Sequence, residues 1–230
     1  MAEMVEFASN GSTAQGYLAR PPGGSGPGVL VIQEWWGLEA SIKEIADQLA
    51  ADGFTALCPD LYRGELARHD EIDKAAQLMT EMPPDRAGRD MSGAVDWLVA
   101  DAGTTGDSIG VVGFCMGGML SFLVAANRPD AVKAVVPFYG FPSGDSEPDW
   151  GPMTAVVRGH MAEHDDFFGP DAARALEAKL RDLGKDVTFT VHAGTSHAFM
   201  ASHNALGTRD ETKAEEIWPG VLAFLHQQLG

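Results

Sequence analysis

A chain of 230 residues with 45% hydrophobic content can bury a full core, and its length fits one α/β domain over residues 1–230 better than two small ones. Thirty-three acidic against sixteen basic residues leave a formal charge of −17, which repels nucleic acid and anionic lipid and sets both aside as partners. No window approaches 18 uninterrupted apolar residues, no basic stretch precedes an apolar run at the N-terminus, and Cys58 and Cys115 both sit in hydrophobic runs; a cytoplasmic protein without a disulfide is expected.

From the N-terminus, residues 4–8 and 15–19 flank the turn-like SNGST and predict an antiparallel hairpin at a sheet edge. The proline- and glycine-rich stretch 21–28 reads as a connection, too short to separate domains. A β-branched run at 28–32 predicts the first buried strand and is followed by a helical pattern over 39–51. Further strands are expected at 54–57, 108–112, 131–136, 154–157 and 187–191, with helices at 70–81, 87–100, 116–127, 170–183 and 211–228. Most of these strands are apolar on both faces, as parallel strands covered by helices must be. The alternation predicts an α/β fold: a mostly parallel central sheet with helices on both faces.

Between the strand at 108–112 and the next helix, the chain turns through Gly113-Phe114-Cys115-Met116-Gly117-Gly118. Glycines remove the Cβ atoms that collide in so sharp a turn, and the residue at its apex is forced outward. This is the G-x-S-x-G nucleophile-elbow pattern with cysteine in the serine position, and a helix start there favours the thiolate. Two other readings remain open: a buried cysteine is ordinarily a small hydrophobe, and a glycine-rich loop can bind phosphate. The phosphate reading is weak, because the glycines at 110, 113, 117 and 118 fit no G-x-G-x-x-G register.

Hydrolases built on such an elbow place an acid and then a histidine after later strands. Asp165 and Asp166 follow the strand at 154–157, and His197 follows that at 187–191, beyond strand ends where open parallel sheets keep their ligand sites.

Together with Gln33-Glu34-Trp35-Trp36-Gly37, Pro59-Asp60-Leu61-Tyr62, Phe138-Tyr139-Gly140 and Ser196-His197-Ala198-Phe199, the cysteine elbow makes the sequence resemble the dienelactone hydrolase family over nearly its whole length. The resemblance implies an α/β-hydrolase fold and a small ester or lactone as substrate, with no cofactor and no metal. Cys115 would be the nucleophile, His197 its base and Asp165 the orienting carboxylate, with Asp166 in reserve. Glu34 would hold the thiol proton until substrate displaces it, although a carboxylate in that place also suits the cap of the next helix. The backbone N–H groups of Trp35 and Met116 would form the oxyanion hole. Trp36, Tyr139 and Phe199 are candidate substrate contacts, with core packing the alternative for Trp36.

Similar enzymes bind the dienelactone carboxylate through arginines, one of them four residues after the catalytic histidine, where this chain has Ala201. Arg63, Arg68, Arg86 and Arg89 lie in or near a possible lid after the second core strand. A general carboxylesterase with the same triad, or a non-catalytic binding protein of the same fold, are therefore the rivals. His160 and His164 suggest a metal pair, but their placement after a strand argues against helical alignment. His69 and His226 read as solvated, His192 and His203 carry no motif, and Cys58 reads as inert packing. A monomer or weak homo-oligomer is expected.

Overall fold

Asn10 and Gly11 are the two residues joining strands Ala2–Ser9 (β1) and Ser12–Ala19 (β2). Both take positive φ, 37° and 99°, the turn geometry that matches the right-handed twist of paired strands. The computed structural model describes residues 2–230. It continues with strands Gly26–Ile32 (β3), Thr55–Pro59 (β4), Thr104–Phe114 (β5), Val132–Phe138 (β6), Val156–His164 (β7) and Val187–Ser196 (β8). Helices Ala40–Ala51 (α1), Ile72–Glu81 (α2), Pro84–Ala100 (α3), Met116–Asn127 (α4), Pro170–Asp182 (α5) and Glu211–Leu229 (α6) alternate with them.

The sheet runs β1-β2-β4-β3-β5-β6-β7-β8. The hairpin and the β2–β4 pairing are antiparallel, and every pairing from β4 to β8 is parallel. Side chains alternate across each strand, so one strand feeds two cores. Leu30, Ile32, Val111 and Val135 pack with Val95 and Leu98 of α3, Phe122 of α4 and Leu180 of α5. Val29, Val31, Val112 and Val136 pack with Ile42 and Leu49 of α1 and Val221 and Leu225 of α6. Each such side chain, once fully buried, contributes about 1.5–3 kcal/mol of transfer free energy. The strands are apolar on both faces because both faces are covered. No helix among the described residues is long and apolar enough to cross a membrane.

Two strands outrun their apolar sequence. β7 continues to His164 and β8 to Ser196, and their polar ends pair with each other, Ala162 opposite His192 and His164 opposite Ser196, with a register shift between. Backbone pairing extends them where side-chain hydrophobicity gives no signal, and it carries Asp165 and His197 to the same rim. Asp90, fully buried on α3, binds the fold across the other side. Its carboxylate accepts from the Ser9 hydroxyl and, at 3.0 Å, from the Arg63 guanidinium, tying the hairpin and the segment after β4 to the helix.

Candidate active site

β5 ends at Phe114 and α4 begins at Met116, so Cys115 alone makes the turn, at φ 53° and ψ −116°. A β-carbon-bearing residue rarely adopts this backbone, at a cost of about 1–3 kcal/mol, and the surrounding packing enforces it. A Cβ on Gly117 would lie 2.3 Å from the Ile32 carbonyl oxygen, and one on Gly140 would lie 1.9 Å from that of Cys115. β3, the elbow and the end of β6 are therefore in backbone contact, and only glycine permits it. Tyr139 and Ala198, next to Phe138 and His197 in the chain, also take positive φ, 35° and 63°.

Asp165 is the first residue after β7. Its Oδ1 accepts from the N–H groups of Phe167 and Phe168, both at 2.9 Å, which fixes the carboxylate. Its Oδ2 lies 2.9 Å from His197 Nδ1, and His197 Nε2 lies 3.2 Å from Cys115 Sγ. Asp166 is exposed. Burial by itself raises the Asp165 carboxyl, but His197 and the two backbone donors outweigh it and hold the group below the usual carboxylate range. The Cys115 thiol is pushed well up, chiefly by burial and then by the charge of Glu34, with Asp165 adding; the hydrogen bond from the Met116 N–H works the other way. Desolvation and a neighbouring carboxylate thus oppose the pull of the α4 N-terminus on the thiol.

Glu34 follows β3 and is 2% exposed. It does not cap α1, whose N-cap is Glu39. The Tyr139 hydroxyl donates to Glu34 Oε1 at 3.3 Å, and Glu34 Oε2 lies 2.7 Å from His203 Nε2. His203 Nδ1 accepts from the Ala205 N–H at 3.0 Å, so Nε2 carries the proton and donates to Glu34. Burial disfavours charge on His203, but the hydrogen bond and charge of Glu34, then the charge of Glu39, outweigh it against an opposing Arg209, and its pKa is raised. No sequence motif marks His203; the signal available was only its position six residues after His197.

His69 is half-buried instead of solvated. Its Nε2 lies 2.9 Å from Glu39 Oε2 and its ring lies 4.3 Å from that of His203, tilted by 34°. Glu39, His69 and His203 bring ligand atoms within 4.8 Å of one another, the one such group among the described residues. The donor set fits a cation poorly, because the Ala205 contact leaves His203 Nε2 as an N–H donor, whereas a metal ligand needs that nitrogen bare. His160 and His164 lie on strand β7, where four residues span about 13 Å, and do not converge. His160 Nδ1 instead meets His192 Nε2 at 3.0 Å, and His164 pairs loosely with Glu163. His226 is exposed, but its ring lies 4.3 Å from that of Phe54 at a 30° tilt. Cys58 is fully buried and packs among apolar residues.

Trp36 is buried in a small cluster with Ala67 and Ala75, its ring edge-on to His69, and so presents no exposed wall. Phe199 is likewise buried, edge-on to Tyr139 at 5.4 Å and with its ring 5.5 Å from that of His192. Tyr139 has no exposed surface and is engaged with Glu34. The exposed aromatic at the rim is Phe167, 66% accessible, with its ring 5.0 Å from that of His197. The Trp35 N–H donates to no backbone carbonyl among the described residues.

A cavity of about 280 Å³ lies between α1 and α6, lined by Glu34, Tyr139, Met200, Ala201, Arg209 and Trp218 among others. Arg63 and Arg86 face Asp90, Arg68 binds Asp70, and Arg89 binds Asp85, so each arginine near the segment after β4 is matched locally. Arg209 reaches the Met200 carbonyl at 3.3 Å and Glu211 at 3.7 Å.

Comparison with known proteins agrees with this architecture. The family model described as the dienelactone hydrolase family matches residues 14–229. The protein usf of Aquifex pyrophilus is 39% identical, and a protein of Aquifex aeolicus assigned as a carboxymethylenebutenolidase is 37% identical; each alignment covers 100% of both chains. A crystal structure from Klebsiella pneumoniae assigned as a dienelactone hydrolase superposes with a TM-score of 0.83 at 27% identity, covering 99% of each chain. The chain belongs to the dienelactone hydrolase family of carboxylic ester hydrolases.

Proposed function

We propose that this chain hydrolyses a small ester or lactone by nucleophilic catalysis at Cys115. The observation that carries the reading is the single imidazole of His197 set between the Asp165 carboxylate at 2.9 Å and the Cys115 sulfur at 3.2 Å. Asp165 receives the Nδ1–H and leaves Nε2 as the base. The thiol proton passes to Nε2 as the sulfur attacks the carbonyl carbon, and the charge that develops on the carbonyl oxygen is met by the N–H groups of Met116 and Trp35. The oxyanion collapses, the C–O bond to the leaving group breaks, and the leaving oxygen takes the proton from Nε2. Water, deprotonated by the same nitrogen, then attacks the thioester and releases the acid and the free thiol. In a lactone the leaving oxygen stays attached, and one product is released after the second step.

A raised thiol pKa suits this sequence: the nucleophile stays protonated until a carbonyl is in place, which protects it from oxidation between turnovers. The family assignment and the activity named for the Aquifex aeolicus relative support a lactone as substrate. Ala201 and the locally paired arginines favour a second reading, a carboxylesterase whose substrate lacks the carboxylate that an arginine clamp would bind. Both are tested by assaying dienelactone and a set of simple aryl esters, with Cys115→Ala as the blank. Dienelactone turnover well above the blank supports the lactonase; turnover of aryl esters alone supports the carboxylesterase; undiminished hydrolysis by Cys115→Ala removes the nucleophile assignment.

A further inference from the structure

The geometry points to His203 as a positioning residue that holds the Glu34 carboxylate by its Oε2 and thereby governs how readily the Cys115 thiol ionises. The side chains of His203 and Glu34 are 4% and 3% exposed, and their 2.7 Å contact is the shortest polar contact that Glu34 makes. The backbone aims this histidine. The Ala205 N–H occupies Nδ1 at 3.0 Å, so the neutral ring presents Nε2–H to the carboxylate.

Each element packed around His203 contributes. Glu39, at the start of α1, lies 3.9 Å from Nε2; His69, from the segment after β4, sets its ring 4.3 Å away at a tilt; Arg209, on the same loop, opposes a positive charge; Tyr139, at the end of β6, donates to the other oxygen of Glu34. Glu34 is in turn the largest charge acting against the thiolate of Cys115. A donor at Oε2 draws that negative charge away from the sulfur, and its removal returns it. Glu34 keeps its Tyr139 donor when His203 is removed, and with its charge no longer drawn toward Oε2 the thiolate becomes harder to form. The arginine missing at Ala201 thus has a counterpart two residues later that acts on the enzyme's own carboxylate.

The inference rests on Cys115 being the nucleophile, and the test separates the two. Alkylation of the intact protein by iodoacetamide is followed at fixed pH and located by peptide mass; Cys58 is fully buried and stays silent while the protein is folded. Below the thiol pKa the rate follows the thiolate fraction, so His203→Ala is expected to slow alkylation of Cys115 about tenfold. His203→Gln, which keeps an N–H donor, returns most of the rate. In the Glu34→Gln background, His203→Ala has no further effect, because the two residues act through one charge. Equal rates in His203→Ala and the parent, or an equal slowing in the Glu34→Gln background, overturn the inference. If His203→Ala does not fold, His203→Leu fills the space without a donor and replaces it. Hydrolysis that survives Cys115→Ala defeats the underlying reading whatever the alkylation rates show.

Discussion

Cys115 stands where three costs meet: a positive φ, a half-buried thiol and a carboxylate neighbour. Such strain persists only where packing enforces it, and here Gly117 and Gly140 let two backbones close on the elbow. The G-x-C-x-G spacing made this residue legible, because the turn demands glycine at fixed places. Asp165 could be separated from Asp166 only by alignment, and the structure turns Asp165 inward to His197 while Asp166 stays exposed. His203 was not legible: a histidine pairing with a carboxylate 169 positions away leaves no local pattern. Asp165→Asn keeps the shape but offers an amide to Nδ1 and favours the wrong tautomer. Steady-state assay of this variant is expected to show kcat lowered about 10²–10⁴-fold with KM little changed. Retention of more than half the parent kcat would remove Asp165 from the mechanism.

At the scale of elements, the buried parallel strands and their helices follow from apolar runs and 3.6-residue periodicity, and every expected element is present, with β7 and β8 extending well beyond their expected ends. The ends were harder to read. Glu163, His164, Ala193 and Gly194 are exposed and carry no strand signature, yet backbone pairing between β7 and β8 continues through them. The site depends on that extension, since it sets where Asp165 and His197 leave the sheet. The elbow depends equally on the approach of α4 to β3. Gly117→Ala places a methyl 2.3 Å from the Ile32 carbonyl oxygen, so one backbone must move. Denaturant unfolding is expected to show a loss of about 3 kcal/mol or more, with alkylation of Cys115 altered as the elbow shifts. A loss under about 0.5 kcal/mol, the range of ordinary surface substitutions, would mean that the close approach is not required.

For the molecule as a whole, acidity acts through groups far apart in the chain. Burial, then the neighbouring His192, lowers the pKa of His160 from 6.5 to about 3. A histidine kept neutral in the folded state favours the unfolded chain once that chain can take up the proton. Its contribution is intact above pH 6.5 and is lost as the pH falls toward 3, by up to about 1.4 kcal/mol per pH unit. Asp165, held below its ordinary value, adds a loss of the same sign at the acid end. His203 has the opposite sign: its raised pKa favours the folded state in acid, and that contribution disappears as pH rises through the raised value. Unfolding by urea between neutral and mildly acid pH is expected to show stability falling, with a shallower slope in His160→Phe, whose ring can stack on Phe138 as the imidazole does at 4.8 Å. Equal slopes would assign the acid sensitivity elsewhere.

The sheet and the strained elbow together serve one proposed event, transfer of an acyl group to the Cys115 sulfur. The most direct measurement is rapid quench of the enzyme with an excess of a chromogenic aryl ester, followed by peptide mass analysis. The account predicts a burst of alcohol matching the enzyme concentration and an acyl group on the peptide that carries Cys115, with neither in Cys115→Ala. Hydrolysis at the parent rate by Cys115→Ala, or an acyl group found on another residue, would contradict it.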